Sequence, residues 1–376
     1  MRKMKKIATV TFHRAHNFGS VLQTYALQEC IKTLCEEKRI EVEYRVIDLF
    51  TTNQEELYTV FKKNNSIKNL IKNVITIPFS KQLKIKYNKF DSFIQENFQL
   101  TVKYKTDEEL RNNPPIADYY ISGSDQIWNV RAKDFLLSYY LDFVKVGRKL
   151  SYAASFGPLE IEWDKLDKNK IAKLLNQYDN ISVREQGSLK NVEILTKQVG
   201  EIHVDPTLLL TKEQWRKVQS NIKSGLGKYI LLYCLEPTKE QLKIANAISR
   251  KLELPILVLR YNNKNDMFNS YIKKYDSGPR DFLAYIDNAA LVLSSSFHGT
   301  VFSIIYHKPF YVFNGMNDNR ISTLLTKTNM VDRSISKIED IERISLISPD
   351  EQIIENVLER ERNKSKSYLR RALEIG

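Results

Sequence analysis

At 376 residues the chain exceeds what one hydrophobic core usually supports, so two domains are expected. A composition of 42% hydrophobic and 27% charged residues excludes a disordered chain, and no stretch approaches the ~18 uninterrupted apolar residues of a membrane span. The net charge is +13, and the three cysteines, Cys30, Cys35 and Cys234, lack the spacing of a metal knot, which fits a reduced cytosolic compartment.

The apolar run 7–12 follows basic residues but is too short for a signal-peptide core, and it reads as the first strand, over 6–12. A helix is expected over 20–36, with Val21, Leu22, Tyr25, Ala26, Leu27, Ile31 and Leu34 along one face. Further strands are expected over 44–49, 118–122, 149–153, 180–183 and 201–204, the β-branched and apolar runs of a parallel sheet with crossover helices.

Between Phe61 and Phe90 stand eight lysines and no acidic residue, interleaved with Ile67, Leu70, Ile71, Val74, Ile75, Ile77, Phe79, Leu83 and Ile85. A basic amphipathic stretch of this kind can lie on an anionic leaflet, or form the solvated lysine face of an ordinary helix pair. Nucleic acid is the weaker reading, because no binding motif and no stacking aromatics accompany the lysines.

A second series opens with a short helix capped at Thr211 and a join around 212–227 containing two glycines. Strands are then expected over 229–234, 256–259, 290–294 and 309–313. Helices are expected after the capping box Thr238-Lys239-Glu240-Gln241, over 279–288 and over 301–306. The last helix is read with Ser348 as N-cap, Pro349 in its first turn and Glu351 closing a capping box. The expected division is a domain over 1–215 with the basic insertion 61–90, a second over 225–345, and a C-terminal helix over 348–376.

Chemistry is sought where strands run into helices. His298 follows Leu291-Val292-Leu293-Ser294-Ser295-Ser296-Phe297 and precedes Gly299 and Thr300, at a turn where backbone N–H groups favour an anion and an imidazole can move a proton. His13, Arg14, His16, Asn17, Gly19 and Ser20 occupy another strand-to-helix link, without the glycine pattern of a dinucleotide fold. The third cluster, Ile121-Ser122-Gly123-Ser124-Asp125-Gln126-Ile127-Trp128-Asn129, offers carboxylate, amide and indole, groups that suit a sugar; a capped helix start with a core tryptophan is the alternative. Arg184 and Arg320 can each fork onto a phosphate or carboxylate, or form ordinary ion pairs with neighbours such as Glu185. No metal-ligand spacing is present, and Asp205 before Pro206 reads as a turn residue.

Taken in order, five pieces resemble the polysaccharide pyruvyl transferase family: residues 17–27 (Asn-Phe-Gly-Ser-Val-Leu-Gln-Thr-Tyr-Ala-Leu), 122–128, 182–185 (Ser-Val-Arg-Glu), 205–207 (Asp-Pro-Thr) and 296–299 (Ser-Phe-His-Gly). The resemblance implies an α/β fold of two Rossmann-like domains facing a cleft, as in GT-B glycosyltransferases. It also implies transfer of the enolpyruvyl unit of phosphoenolpyruvate onto two hydroxyls of a hexose in a bacterial surface glycan, giving a pyruvate ketal and phosphate. No cofactor beyond phosphoenolpyruvate as co-substrate is implied. His298 is then the acid/base and Asp125 a base or sugar ligand. Arg184, Ser296, Gly299, Thr300 and Arg320 fall on the donor side, and His13, His16, Asn17, Gly19, Ser20, Gln126 and Trp128 on the acceptor side. The lysine-rich segment is expected to hold a cytoplasmic enzyme near a lipid-linked oligosaccharide at the membrane. The competing readings are a nucleotide-sugar glycosyltransferase on the same scaffold and a non-enzymatic carbohydrate-binding protein.

Overall fold

The computed structural model describes residues 4–63, 65–158, 160–163, 167–222, 227–259 and 270–376. The expected join at 212–227 is therefore described only in part, and its Gly225 lies outside the described residues. The chain forms two compact units, one of Met1–Leu57, Ile94–Leu210 and Leu358–Gly376, the other of Tyr58–Phe93 and Thr211–Val357.

The first unit contains strands β1 (Lys5–Val10), β2 (Val42–Val46), β3 (Tyr119–Ser122), β4 (Arg148–Ser151), β5 (Ile181–Val183) and β6 (Gly200–Ile202). The first four form a parallel sheet in the order β2-β1-β3-β4, and β5 pairs with β6. Single bridges from Leu150 to Asn180 and from Ala154 to Val183 continue the sequence outward from β4. The second unit contains β7 (Ile230–Tyr233), β8 (Ile256–Val258), β9 (Ile272–Lys273), β10 (Leu291–Ser294), β11 (Phe310–Phe313) and β12 (Ser334–Ile335). All six are parallel, in the order β12-β11-β10-β7-β8-β9. Numbered within the unit and read from β9, this is the doubly wound order 3-2-1-4-5-6. Such sheets bury both faces, which is why β3, β7, β10 and β11 read as unbroken runs with every residue buried.

Helices follow in chain order: α1 (Phe18–Glu37), α2 (Thr52–Tyr58), α3 (Ile67–Thr76), α4 (Ser80–Asn97), α5 (Asp107–Asn112), α6 (Lys168–Leu175), α7 (Gln186–Leu195), α8 (Lys212–Val218), α9 (Lys239–Leu252), α10 (Pro279–Asp287), α11 (Phe297–Ile305), α12 (Asn319–Lys327) and α13 (Glu351–Ala372). The expected capping boxes at Thr211 and Thr238 both form, each threonine accepting from the backbone three residues on and each glutamine reaching back.

Three expectations need correction. The helix placed at 301–306 begins at Phe297, so His298 lies inside its first turn. The last helix begins at Glu351, and Asp350 rather than Ser348 accepts from the backbone of Ile353, at 3.0 Å, because the aspartate stands directly before the first helical residue. The basic segment, assigned to the N-terminal domain, groups with the second unit. Phe79 meets Tyr275 edge-on at 5.6 Å, and Lys89 pairs with Asp281 at 2.7 Å.

The back half of α13 belongs to the first unit, where Arg362 Nε donates to the Leu208 carbonyl (2.8 Å) and Tyr368 Oη to the Ser151 carbonyl (2.8 Å). His203 is fully buried there, its ring 4.6 Å from that of Tyr368 and its Nδ1 3.3 Å from Ser365 Oγ. Burial pushes its pKa down to about 4; the half-exposed Glu201 beside it pulls the other way and loses. The unfolded chain takes up this proton near the ordinary value of 6.5, whereas the folded chain resists until about 4. Stability therefore falls as pH drops through that window, by about 2–3 kcal/mol from this residue. Thermal melts between pH 7 and pH 4 should show a steeper decline for the parent than for His203→Gln.

Candidate functional site

In each unit the candidate residues gather where the strand order reverses. The first unit reverses between β1 and β3, and the loops leaving these strands carry residues 11–20 and 123–129. Asn17 caps α1, its side chain accepting from the Gly19 N–H at 3.0 Å. Ser20, in the first turn of α1, donates from Oγ to Asp125 Oδ2 at 2.6 Å, a bond that closes the switch point from one loop to the other. Asp125 adopts φ +75°, a left-handed conformation that aspartate tolerates better than most residues. Its other oxygen accepts from the Gln126 N–H at 2.9 Å, and its carbonyl accepts from the Ser155 N–H at 3.0 Å. Gln126 is half-buried and accepts through Oε1 from Asn129 Nδ2 at 3.2 Å.

Arg184, at the end of β5, is buried among carboxylates. Its Nη1 donates to Asp205 Oδ2 at 2.7 Å, its Nε lies 3.4 Å from Glu185 Oε2, and its Nη2 lies 3.9 Å from Asp125 Oδ1. Burial opposes the charge, but Asp205, Glu185 and Asp125 outweigh it and hold the guanidinium more firmly protonated than usual. The carboxylates are themselves anchored: Asp205 Oδ1 accepts from Thr207 N (3.0 Å) and Oγ1 (2.6 Å), and Glu185 accepts from Ser155 Oγ (2.7 Å) and Ser188 Oγ. The motifs at 17–27, 122–128, 182–185 and 205–207 thus meet in one hydrogen-bonded network.

Two acceptor candidates lie elsewhere. His13 is fully buried, with Nε2 3.0 Å from Asp48 Oδ1 and Nδ1 3.2 Å from the Thr11 carbonyl. Arg14 forks onto the same carboxylate at 2.5 and 2.7 Å. Burial would raise the Asp48 pKa, but the Arg14 and His13 hydrogen bonds override it and hold the carboxyl well below its ordinary range. Trp128 is also fully buried; it stacks on Tyr140 at 5.4 Å and donates from Nε1 to Ser122 Oγ at 2.9 Å. It is a core residue rather than an open sugar platform, because Tyr140, Phe156 and Tyr178 enclose its ring. His16 is half-buried between these groups in sequence.

The second unit reverses between β7 and β10. Ser294 ends β10, donating from Oγ to the Tyr233 carbonyl at 2.8 Å and accepting from the Ser296 N–H at 2.9 Å. A Cβ on Gly299 would lie 2.3 Å from Ser294 Oγ and 2.9 Å from Tyr233 Cδ1, so glycine is what lets α11 start this close to the strand ends. Thr300 is the first residue bonded back along the helix, through both N–H (3.1 Å) and Oγ1 (3.0 Å) to the Ser296 carbonyl. The N–H groups of Phe297, His298 and Gly299 precede that first bond. Unlike Asn17, Thr238 and Asp318 at their helices, Ser296 makes no side-chain capping bond. The helix dipole places partial positive charge at the start of α11, beside the nearly buried His298. Arg320 lies 5.8 Å over the Phe297 ring and forks onto Asp318 at 2.9 and 2.5 Å. Among the described residues no group of three or more His, Cys, Asp or Glu could hold a metal ion.

Sequence reasoning took Asp205 as a turn residue and Glu185 as a surface partner, and missed Ser155 and Asp48. Asp205 and Glu185 stood inside motifs already quoted, so the signal was available; Ser155 and Asp48 carry none beyond following a strand.

Two doubly wound parallel units with polar residues gathered at both switch points define a GT-B-like α/β protein. The model of the family described as polysaccharide pyruvyl transferase matches residues 17–315, and the chain belongs to this family. No curated protein matches the chain. Among solved structures it is similar to a putative UDP-N-acetylglucosamine 2-epimerase from Listeria monocytogenes, with 10% identity, TM-score 0.52, and coverage of 100% of this chain and 98% of that one. It is also similar to the UDP-N-acetylglucosamine 2-epimerase from Rickettsia bellii, with 12% identity, TM-score 0.50 and coverage of 98% of both chains. These likenesses establish the fold.

Replacing Arg184 with Met should lower stability by about 3–5 kcal/mol in urea unfolding, because three buried carboxylates lose their counter-charge. Gly299→Ala should cost about 1–3 kcal/mol by the same measurement, from overpacking against Ser294 and Tyr233.

Proposed function

We propose that this protein transfers the enolpyruvyl unit of phosphoenolpyruvate to two hydroxyls of a hexose in a lipid-linked precursor of a bacterial surface polysaccharide. The products are a cyclic pyruvate ketal and inorganic phosphate. Family membership supports the transferase class. The observation that carries the finer reading is the start of α11, where the positive end of the helix dipole meets a nearly buried imidazole at a switch point.

The chemistry asks for those features. Phosphoenolpyruvate brings a phosphate and a carboxylate, and the α11 N-terminus suits one of them, with Ser296, Gly299 and Thr300 shaping the turn. Protonation of the methylene carbon by His298 makes the neighbouring carbon electrophilic, and a first sugar hydroxyl adds there with loss of its proton. Departure of phosphate and attack by the second hydroxyl, again losing a proton, close the ketal. Asp125, oriented by Ser20 and flanked by Gln126, is the base or sugar ligand on the acceptor side. Arg184 is assigned as a positioning residue for Asp125, since its charge is already matched by Asp205 and Glu185. Arg320 assists the donor anion from beside Phe297.

Phosphate release from phosphoenolpyruvate, measured with a panel of lipid- and nitrophenyl-linked hexoses, tests the reading. Acceptor-dependent release should fall by ~10²–10⁴-fold in His298→Ala while its melting temperature holds. A thermal-shift screen separates the rival: stabilisation by nucleoside diphosphates with none by phosphoenolpyruvate would replace this reading with a nucleotide-sugar glycosyltransferase.

A further inference from the structure

A helix on a water-soluble surface turns its apolar stripe inward. Helix α3 does the reverse. Ile67, Leu70, Ile71 and Val74 recur at i, i+3, i+4 and i+7, and Ile77 continues the row, yet they are 79%, 51%, 54%, 59% and 59% exposed. The polar side of the helix faces the protein instead. Asn73 accepts from the Lys62 N–H and donates to the Lys62 carbonyl, both at 2.8 Å, and Asn69 Nδ2 donates to the Lys63 carbonyl at 3.0 Å. Thr76 is buried, bonded to the Lys72 carbonyl at 2.7 Å. The orientation is held from below, where Phe79 and Leu83 pack against the core of the second unit and Lys89 is paired with Asp281.

Charge accompanies the exposed stripe. Lys68 and Lys72 lie on one flank of α3, Lys81 and Lys84 stand exposed at the start of α4, and residues 61–90 contain no acidic side chain. Aliphatic side chains flanked by lysines match the two layers that an anionic membrane presents, acyl chains beneath negative headgroups. A nucleic acid would answer the lysines but leave five aliphatic side chains unused. A second copy of the same face would set Lys68 and Lys72 against their own counterparts. We propose that α3 and the start of α4 form a monotopic binding surface for an anionic lipid bilayer, with Ile67, Leu70, Ile71, Val74 and Ile77 entering the acyl boundary.

Flotation of the full chain with vesicles tests this without reference to catalysis, so its failure and that of the transferase reading are separable. Vesicles of phosphatidylcholine alone and with phosphatidylglycerol are compared at low and high salt. Two variants, Leu70→Gln/Ile71→Gln/Val74→Gln and Lys68→Glu/Lys72→Glu, alter exposed positions and should melt like the parent. The parent should bind the anionic vesicles at low salt and bind several-fold less at high salt, and each variant should partition roughly 10-fold less or lower. Absent binding to anionic vesicles, equal binding to neutral ones, or undiminished binding by the apolar variant would each overturn the proposal. So would a dimer seen by light scattering that the apolar variant abolishes while vesicles bind neither protein.

Discussion

A guanidinium removed from water is unfavourable unless its charge is met, and the first unit meets it three times. Asp205, Glu185 and Asp125 come from the segments after β6, β5 and β3, so the ion cluster around Arg184 ties three loops at the carboxyl ends of the sheet. Short serine and threonine side chains extend it: Ser155 and Ser188 to Glu185, Thr207 to Asp205, Ser20 to Asp125. Each member is satisfied mainly by another member, which makes the arrangement rigid and makes loss of any one costly. The position of Asp125 is thus tied to the charge balance at Arg184.

The second unit reaches an analogous place by packing rather than charge. β10 ends at Ser294, whose hydroxyl donates to the Tyr233 carbonyl of the neighbouring strand and accepts from the Ser296 N–H, and Gly299 lets the following helix close on the strand ends. The dipole of α11 supplies a positive field there directly. The contrast has a chemical sense. A helix start presents a positive field with little sequence commitment, whereas a buried guanidinium needs carboxylates brought from three separate segments.

Much of the sheet architecture could be read from sequence because parallel strands covered on both faces are continuous apolar runs bounded by polar turns. The strands from Ile230, Leu291 and Phe310 follow that rule, and the threonine capping boxes mark their helices by side-chain chemistry alone. What was illegible depended on distant partners. Nothing near Trp128 announces that Tyr140 will stack on it, and nothing near Lys89 announces Asp281 nearly two hundred residues away. The reading of Arg184 shows the same limit from inside a motif: its neighbour Glu185 was visible, but Asp205 and Asp125, which share its guanidinium, were separate clusters until the fold joined them.

This joining also bears on how tightly each polar group of the first unit is held. Polar groups in the motifs of the first unit are largely taken by one another: both Asp205 oxygens, Glu185, and the Asn17 cap. A hydrogen-bonding group already engaged in a buried network is costly to turn elsewhere, since doing so breaks a bond of similar strength. Gln126, half-buried beside Asp125, is less enclosed. The motif residues of the first unit therefore build a frame that fixes Asp125, while less enclosed side chains such as Gln126 border it.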